Sequence, residues 1–169
     1  RVVLSAGAIK SPHLLMLSGI GPEDQLQQFG IPTVHDLPGV GQNLMNHLSA
    51  QITFKVKDGI TLTADTDAVS FGLRYTSQGS SAINDMRLGC SPVVDRRQER
   101  VPGTRTRYLS GEVPPDRVAR ISCGLGLPDG SGYVRLASAD PGVQPSFNYR
   151  YLQHPNDSRR VREGLRFAN

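Results

Sequence analysis

Histidine and cysteine are the side chains best suited to proton transfer, nucleophilic attack and metal binding, and the chain has four of the first and two of the second. Histidine titrates near neutral pH and is the commonest general base. That singles out His47, which closes a glycine-rich stretch. A single histidine in such a place reads as a hydrogen-bonding strut, so no catalytic residue is assigned. His13 falls on a short helix, His35 at a polar strand edge, and His154 precedes Pro155 in a surface turn. Cys90 and Cys123 are too few for a disulfide scaffold and match no zinc-ligand spacing, which predicts two unbridged buried thiols. No pair of His, Cys or carboxylate residues has the spacing of a metal site, and no metal ligand is assigned.

Small residues suggest a different chemistry. Val2, Val3 and Leu4 make a continuous apolar run that ends in Ser5, Ala6, Gly7 and Ala8. This predicts a strand buried on both faces whose end lets another backbone or a ligand come close, with tight helix-on-strand packing as the alternative. Residues 37–46, with Pro38, Gly39 and Gly41 crowded together, predict an irregular loop in which Asn43 offers both an amide donor and a carbonyl acceptor.

The elements that must hold these residues follow from local pattern. Ser11 suits an N-cap and Pro12 the first helical position, with Leu14, Leu15 and Leu17 as the apolar face before Ser18 and Gly19. A second short helix is predicted from Pro22 through Phe29, with Glu23 and Asp24 in its first turn and Gly30 as its C-terminal cap. From Gln51 the period becomes two, with Ile52, Phe54 and Val56 alternating against Thr53, Lys55 and Lys57. The same alternation places Met86, Leu88 and Cys90 on one strand face, and Ile121, Cys123, Leu125 and Leu127 on another. Arg120 to Ala137 reads as a hairpin with its loop around Pro128 to Gly132. Residues 65–75 suit a helix capped by Asp65 or Thr66, and Asp157 reads as the N-cap of a helix through Arg160, Val161, Leu165 and Phe167. Arg1 opens in mid-element and Asn169 closes without a capping signal, so both are expected to be cut points.

The net charge of +4 raises the question of nucleic acid, through Arg96, Arg97, Arg100, Arg105 and Arg107. That cluster is broken by Asp95, Glu99 and Pro102-Gly103 and has no interleaved aromatic residues for bases to stack on, so a solvated loop is expected and no nucleic-acid partner. No run of about 18 apolar residues occurs and no secretory pattern opens the chain, which predicts a soluble, cytoplasmic protein without a membrane span.

Two longer segments carry a family pattern. Gly7-Ala8-Ile9-Lys10-Ser11-Pro12-His13-Leu14-Leu15-Met16-Leu17-Ser18-Gly19-Ile20-Gly21 resembles the second signature of the glucose-methanol-choline oxidoreductases. Leu37-Pro38-Gly39-Val40-Gly41-Gln42-Asn43-Leu44-Met45-Asn46-His47 is similar to a loop of the same family, with Asn46 where the family usually has Asp. Gly132 to Leu136, Ser138 to Pro141, Pro145, Asn148-Tyr149 and Asp157 resemble its return from the substrate domain. Residues 58–128 carry no family motif.

The resemblance implies an internal fragment of an FAD-dependent enzyme that oxidises a choline-, glucose- or aryl-alcohol-like small molecule by hydride transfer, a general base taking the hydroxyl proton. It implies an α+β fold, with a mostly antiparallel sheet and short helices for substrate binding and an N-terminal strand-helix piece of the FAD-binding domain. The expected division is residues 1–50 for the FAD part and 51–169 for the substrate part. Ser5, Ala6, Gly7, Pro12 and Asn43 are the expected cofactor-binding residues. No G-x-G-x-x-G occurs, so the main FAD loop and the catalytic histidine are expected elsewhere in the full protein, and FAD binding by this stretch alone is expected to be weak or absent. The alternative is a non-enzymatic binding or interaction domain derived from such an enzyme.

Overall fold

A computed structural model describes residues 1–60, 71–93 and 118–168. In chain order its elements begin with α1 (Gly7–Leu17), β1 (Ile20–Gly21), α2 (Glu23–Gln28), β2 (His35–Asp36), β3 (Gln42–Leu44) and β4 (Leu48–Lys55). They continue with β5 (Phe71–Tyr75), β6 (Met86–Val93), β7 (Val118–Leu125), β8 (Gly132–Arg135), β9 (Ser146–Asn148) and α3 (Pro155–Phe167). The fold is α+β with mainly antiparallel sheets, and no helix among the described residues is long and apolar enough to cross a membrane. Two compact units form, residues 1–46 with 128–157 and residues 47–127 with 158–169.

The first unit is built around the antiparallel sheet β3-β8-β9. Met16 of α1, Leu26 of α2, Leu44, Val134 and Leu136 form its buried cluster. Met16 and Leu26 are fully buried, each worth about 1.5–3 kcal/mol relative to exposure. α2 ends in a Schellman motif. The Ile31 N–H bonds the Leu26 carbonyl and the Gly30 N–H the Gln27 carbonyl, Gly30 taking the positive φ of +66° that this requires. Gln25 ties the helix to the sheet, its Oε1 accepting the Leu136 N–H at 2.6 Å.

The second unit is the four-stranded antiparallel sheet β4-β7-β6-β5. Register pairs Leu48 with Leu125, Leu125 with Met86, and Cys123 with Leu88, so one face carries the apolar parity. Met86, Leu88, Cys123 and Leu125 of that face pack with Val161 of α3, and Leu165 joins them. The half-buried and exposed alternation of β4 matches its period-two pattern.

Several elements differ from the sequence expectation. Val2 and Val3 are 89% and 85% exposed and lie outside any strand. A strand satisfies its backbone only by pairing, and among the described residues none pairs here. α1 starts at Gly7, ahead of the expected start at Pro12, and Ser11 lies inside it with its Oγ accepting the Ala6 N–H at 3.0 Å. Residues 42–44 form a strand inside the expected irregular loop. Residues 71–75 are strand and not helix, because Phe71 to Tyr75 find a full ladder on β6; the rest of that expected helix, and the arginine-rich loop, lie outside the described residues. No β7-β8 hairpin forms. β7 is already flanked by β4 and β6, so β8 pairs instead with β3 and β9. α3 begins at Pro155, which leaves Asp157 in its first turn and not at the cap.

Candidate cofactor site

Proline inside α1 is the starting point. Pro12 has no N–H to give to the carbonyl four residues back, so the Ala8 carbonyl lacks its helical donor. The N-cap residue Ala6 offers no side-chain acceptor, so apart from the Ala6 N–H held by Ser11 Oγ the positive end of the α1 dipole is left to other acceptors.

The opposite wall comes from the glycine-rich segment. Gly41 takes φ +78°, and its carbonyl accepts the Val134 N–H at 2.7 Å. A Cβ at 41 would be driven into the Val134 carbonyl, so only glycine lets β3 lie this close to β8. Asn43 also has a positive φ, 57°, where the pairing with β8 is irregular between Gln42 and Leu44. Its Oδ1 accepts the Ser131 hydroxyl at 3.4 Å. Between these walls lies an open cavity of about 380 Å³, lined by Ala8, Pro12, Gly41, Gln42, Asn43, Leu44, Met45 and Val134. Apolar walls with a few amide and carbonyl groups at the edges suit part of a small organic ligand.

Of the residues expected to touch a cofactor, Pro12 and Asn43 are brought into this one cavity although 31 positions separate them in the chain. Ser5, Ala6 and Gly7 are exposed at the start of α1 and are not part of its lining. Ala8, Gly41, Gln42 and Met45 were not singled out as cofactor contacts. Ala8 was findable from its position four residues before a proline, and Gly41 from the crowding of glycines.

The histidines do not converge. His13 is buried on α1, and its Nε2 has no hydrogen-bond partner; burial first, and Lys10 second, hold its pKa below the ordinary value. His47 is exposed and His35 sits on β2. His154 comes together with Asp129 and Asp157, their ligand atoms all within 4.8 Å of one another, a grouping that sequence spacing did not reveal. The Asp157 carboxylate is already engaged, accepting the N–H groups of Asp129 and Gly130 at 2.9 Å each, and the Asn156 amide donates to Asp129. The arrangement is a hydrogen-bonded clamp on the turn that enters β8.

In the second unit, Cys90 and Cys123 are both free thiols, Cys123 fully buried and Cys90 partly so. Burial pushes the Cys123 thiol up, and the same cause first, then the Cys123, Asp85 and Glu163 charges, raises Tyr75. Asp85 is fully buried; burial alone would raise its pKa, but hydrogen bonds from the Ser77 hydroxyl and N–H, from Arg160 and from Ser80 lower it to about 2.

Comparison with known proteins identifies the class to which this architecture belongs. Two family models, both described as GMC oxidoreductase, match residues 1–49 and 128–169, and the chain belongs to that family. The chain is 33% identical over 180 residues to an oxygen-dependent choline dehydrogenase of Photobacterium profundum, covering 99% of this chain and 32% of that protein. It is 36% identical over 183 residues to the Drosophila melanogaster glucose dehydrogenase [FAD, quinone], covering 99% of this chain and 29% of that protein. The crystal structure of pyridoxine 4-oxidase from Mesorbium loti superposes with a TM-score of 0.74 at 25% identity, over 99% of this chain and 31% of that one. The chain thus spans about a third of the length of the curated relatives it matches.

Proposed function

We propose that the protein to which this chain belongs oxidises a small-molecule alcohol with FAD, and that the chain supplies one edge of the flavin site and one wall of the substrate pocket. The cavity that joins Ala8 and Pro12 to Gly41 and Asn43 carries this reading, because both of its walls come from segments within the first family match. The fit is chemical. The Ala8 carbonyl has no helical donor, the Asn43 amide offers both polarities, and Leu44, Met45 and Val134 give an apolar floor. When bound, FAD supplies the hydride acceptor that no side chain provides. Pro12, Gly41 and Asn43 fix the cavity's shape and orient polar groups at its rim. His47 serves as a structural strut, and the general base and the main dinucleotide loop belong to other parts of the protein. A cytoplasmic location and the absence of a nucleic-acid partner complete the reading.

Full-length protein, purified with its flavin, should lose its flavin absorbance when a primary alcohol is added without oxygen. No bleaching across choline, sugar and aryl alcohols overturns the proposal and favours a binding module that has lost its chemistry. The 169-residue chain alone should bind FAD weakly or not at all. A fluorescence titration giving a dissociation constant in the low micromolar range or tighter would show that the main cofactor contacts lie here.

A further inference from the structure

The sheet β4-β7-β6-β5 has a second face, opposite the one packed on α3. Strand parity places Ser49, Gln51, Ser122, Gly124, Gly89 and Gly72 on it, a row of small and polar positions. Two long cationic side chains also stand there. Arg74 of β5 is directly opposite Arg87 of β6 in the ladder, and Arg87 is opposite Gly124 of β7. Like charges directly opposite in an antiparallel pair repel. Among the described residues no carboxylate lies within ion-pair distance of either guanidinium. The acid nearest to Arg87 in sequence, Asp85, is fully buried with its oxygens held by Ser77 and Arg160.

These arginines line an open cavity of about 360 Å³. Gly124, opposite Arg87 in the ladder, also lines it, and adds no side chain to its floor. Asn84 and His47 add polar groups, while Ile83 and Leu127 form an exposed apolar rim. Asn84 is held in a left-handed conformation, φ 58°, its N–H bonded to Thr76 Oγ1 at 3.0 Å.

We propose that this cavity is an oxyanion-recognising subsite, and that the alcohol oxidised by the protein carries a carboxylate or phosphate group held by Arg74 and Arg87. The guanidinium fork matches both oxyanions in a bidentate way, and an anion between the two relieves their repulsion. The apolar rim takes the body of the ligand. This rests on the proposed alcohol oxidation for its chemistry, but binding is separable from turnover.

The test uses full-length holoenzyme and three matched alcohols: benzyl alcohol, 4-(hydroxymethyl)benzoate and 4-(hydroxymethyl)phenyl phosphate. The better of the two anionic alcohols should exceed benzyl alcohol in kcat/KM by at least tenfold, and which one leads identifies the oxyanion. Arg74→Gln with Arg87→Gln should abolish that preference, chiefly through KM, and Arg87→Lys alone should keep part of it. In parallel, benzoate and phenyl phosphate are titrated calorimetrically against the same proteins. At least one should bind the parent protein, weaken with added salt, and lose tenfold or more in affinity in the double variant. Equal anion affinity in parent and double variant, or a preference for benzyl alcohol unaffected by either substitution, overturns the subsite. If no alcohol is oxidised while anion binding still depends on both arginines, the subsite stands and the proposed oxidation fails.

Discussion

Arg160 Nη1 lies 2.8 Å from Asp85 Oδ2, with the two side chains 1% and 0% exposed, so a charge pair 75 positions apart in sequence is closed off from water. Ser77 completes the group through its N–H and hydroxyl, at 2.8 and 2.6 Å from the carboxylate. A buried ion pair stripped of one partner leaves an uncompensated charge, at a cost of about 3–5 kcal/mol. Arg160→Leu is therefore expected to lower the urea midpoint with an unchanged m-value. A loss under about 1 kcal/mol would mean that solvent reaches Asp85 in solution.

Acid should act on the same group. The folded-state pKa of Asp85, about 2, is below the unfolded value near 3.9, so its contribution is fully present above about pH 4 and is lost as pH falls through about 2. Midpoints measured from pH 6 down to pH 2 should fall most steeply below pH 4. Asp85→Asn should flatten that part of the profile, and an equally steep profile in the variant would assign the acid loss to other carboxylates.

Cys123 is fully buried, with its Sγ 3.9 Å from the Val161 carbonyl. Its thiol should react with a disulfide reagent far more slowly than Cys90 does in the folded chain, both for lack of access and because burial holds the thiolate back. Denatured without reductant, the protein should yield two thiols. A count of zero overturns the unbridged assignment.

At Gly164, α3 lies close against the side chains of the sheet. A methyl group there would collide with Cys123 Sγ and stand 2.8 Å from the Tyr75 hydroxyl. Gly164→Ala is expected to destabilise by about 1–3 kcal/mol through overpacking, despite alanine's better helix propensity. Cys123→Ala should then recover part of the loss in the double variant, a coupling that strict additivity would exclude.

Gly41→Ala tests the first unit. The positive φ and the Val134 carbonyl both oppose a side chain, and the expected loss is about 1–3 kcal/mol. In full-length protein the same change should weaken flavin retention, measured by filtration after dilution. Unchanged retention would detach the Pro12–Asn43 cavity from the cofactor.

Period and parity carried the sheet of the second unit: Met86, Leu88 and Cys123 face inward as their alternation requires. What local pattern could not carry was pairing. Tyr133 to Arg135 is a good strand beside an obvious turn, yet the preceding strand had no free edge, a fact fixed by β4 some 70 positions away. Pro12 misled for a related reason. Proline favours the first helical turn, but Ile9, ahead of it, packs on the first core, and α1 extends back to Gly7 across the proline. At the candidate cofactor site, Pro12 and Asn43 were legible from the family motifs. Ala8 and Met45 depend on which backbone groups the fold leaves open, and the Arg74–Arg87 juxtaposition depends on a ladder that no single segment announces.

The pairing of Gln42 with Tyr133 and Leu44 with Gly132 joins two segments between which most, though not all, of the second unit is inserted, its α3 portion from residue 158 following β8. The two ends of the insert are pinned by that ladder, and loop closure grows by only about 0.6 kcal/mol per doubling of length. Lengthening the segment between them is therefore expected to cost the pairing of β3 on β8 little. A segment grafted from a distant relative between Leu44 and Gly132 must still fit Arg160, Val161 and Leu165 of α3, which stay behind on the stem, so α3 has to be exchanged along with it.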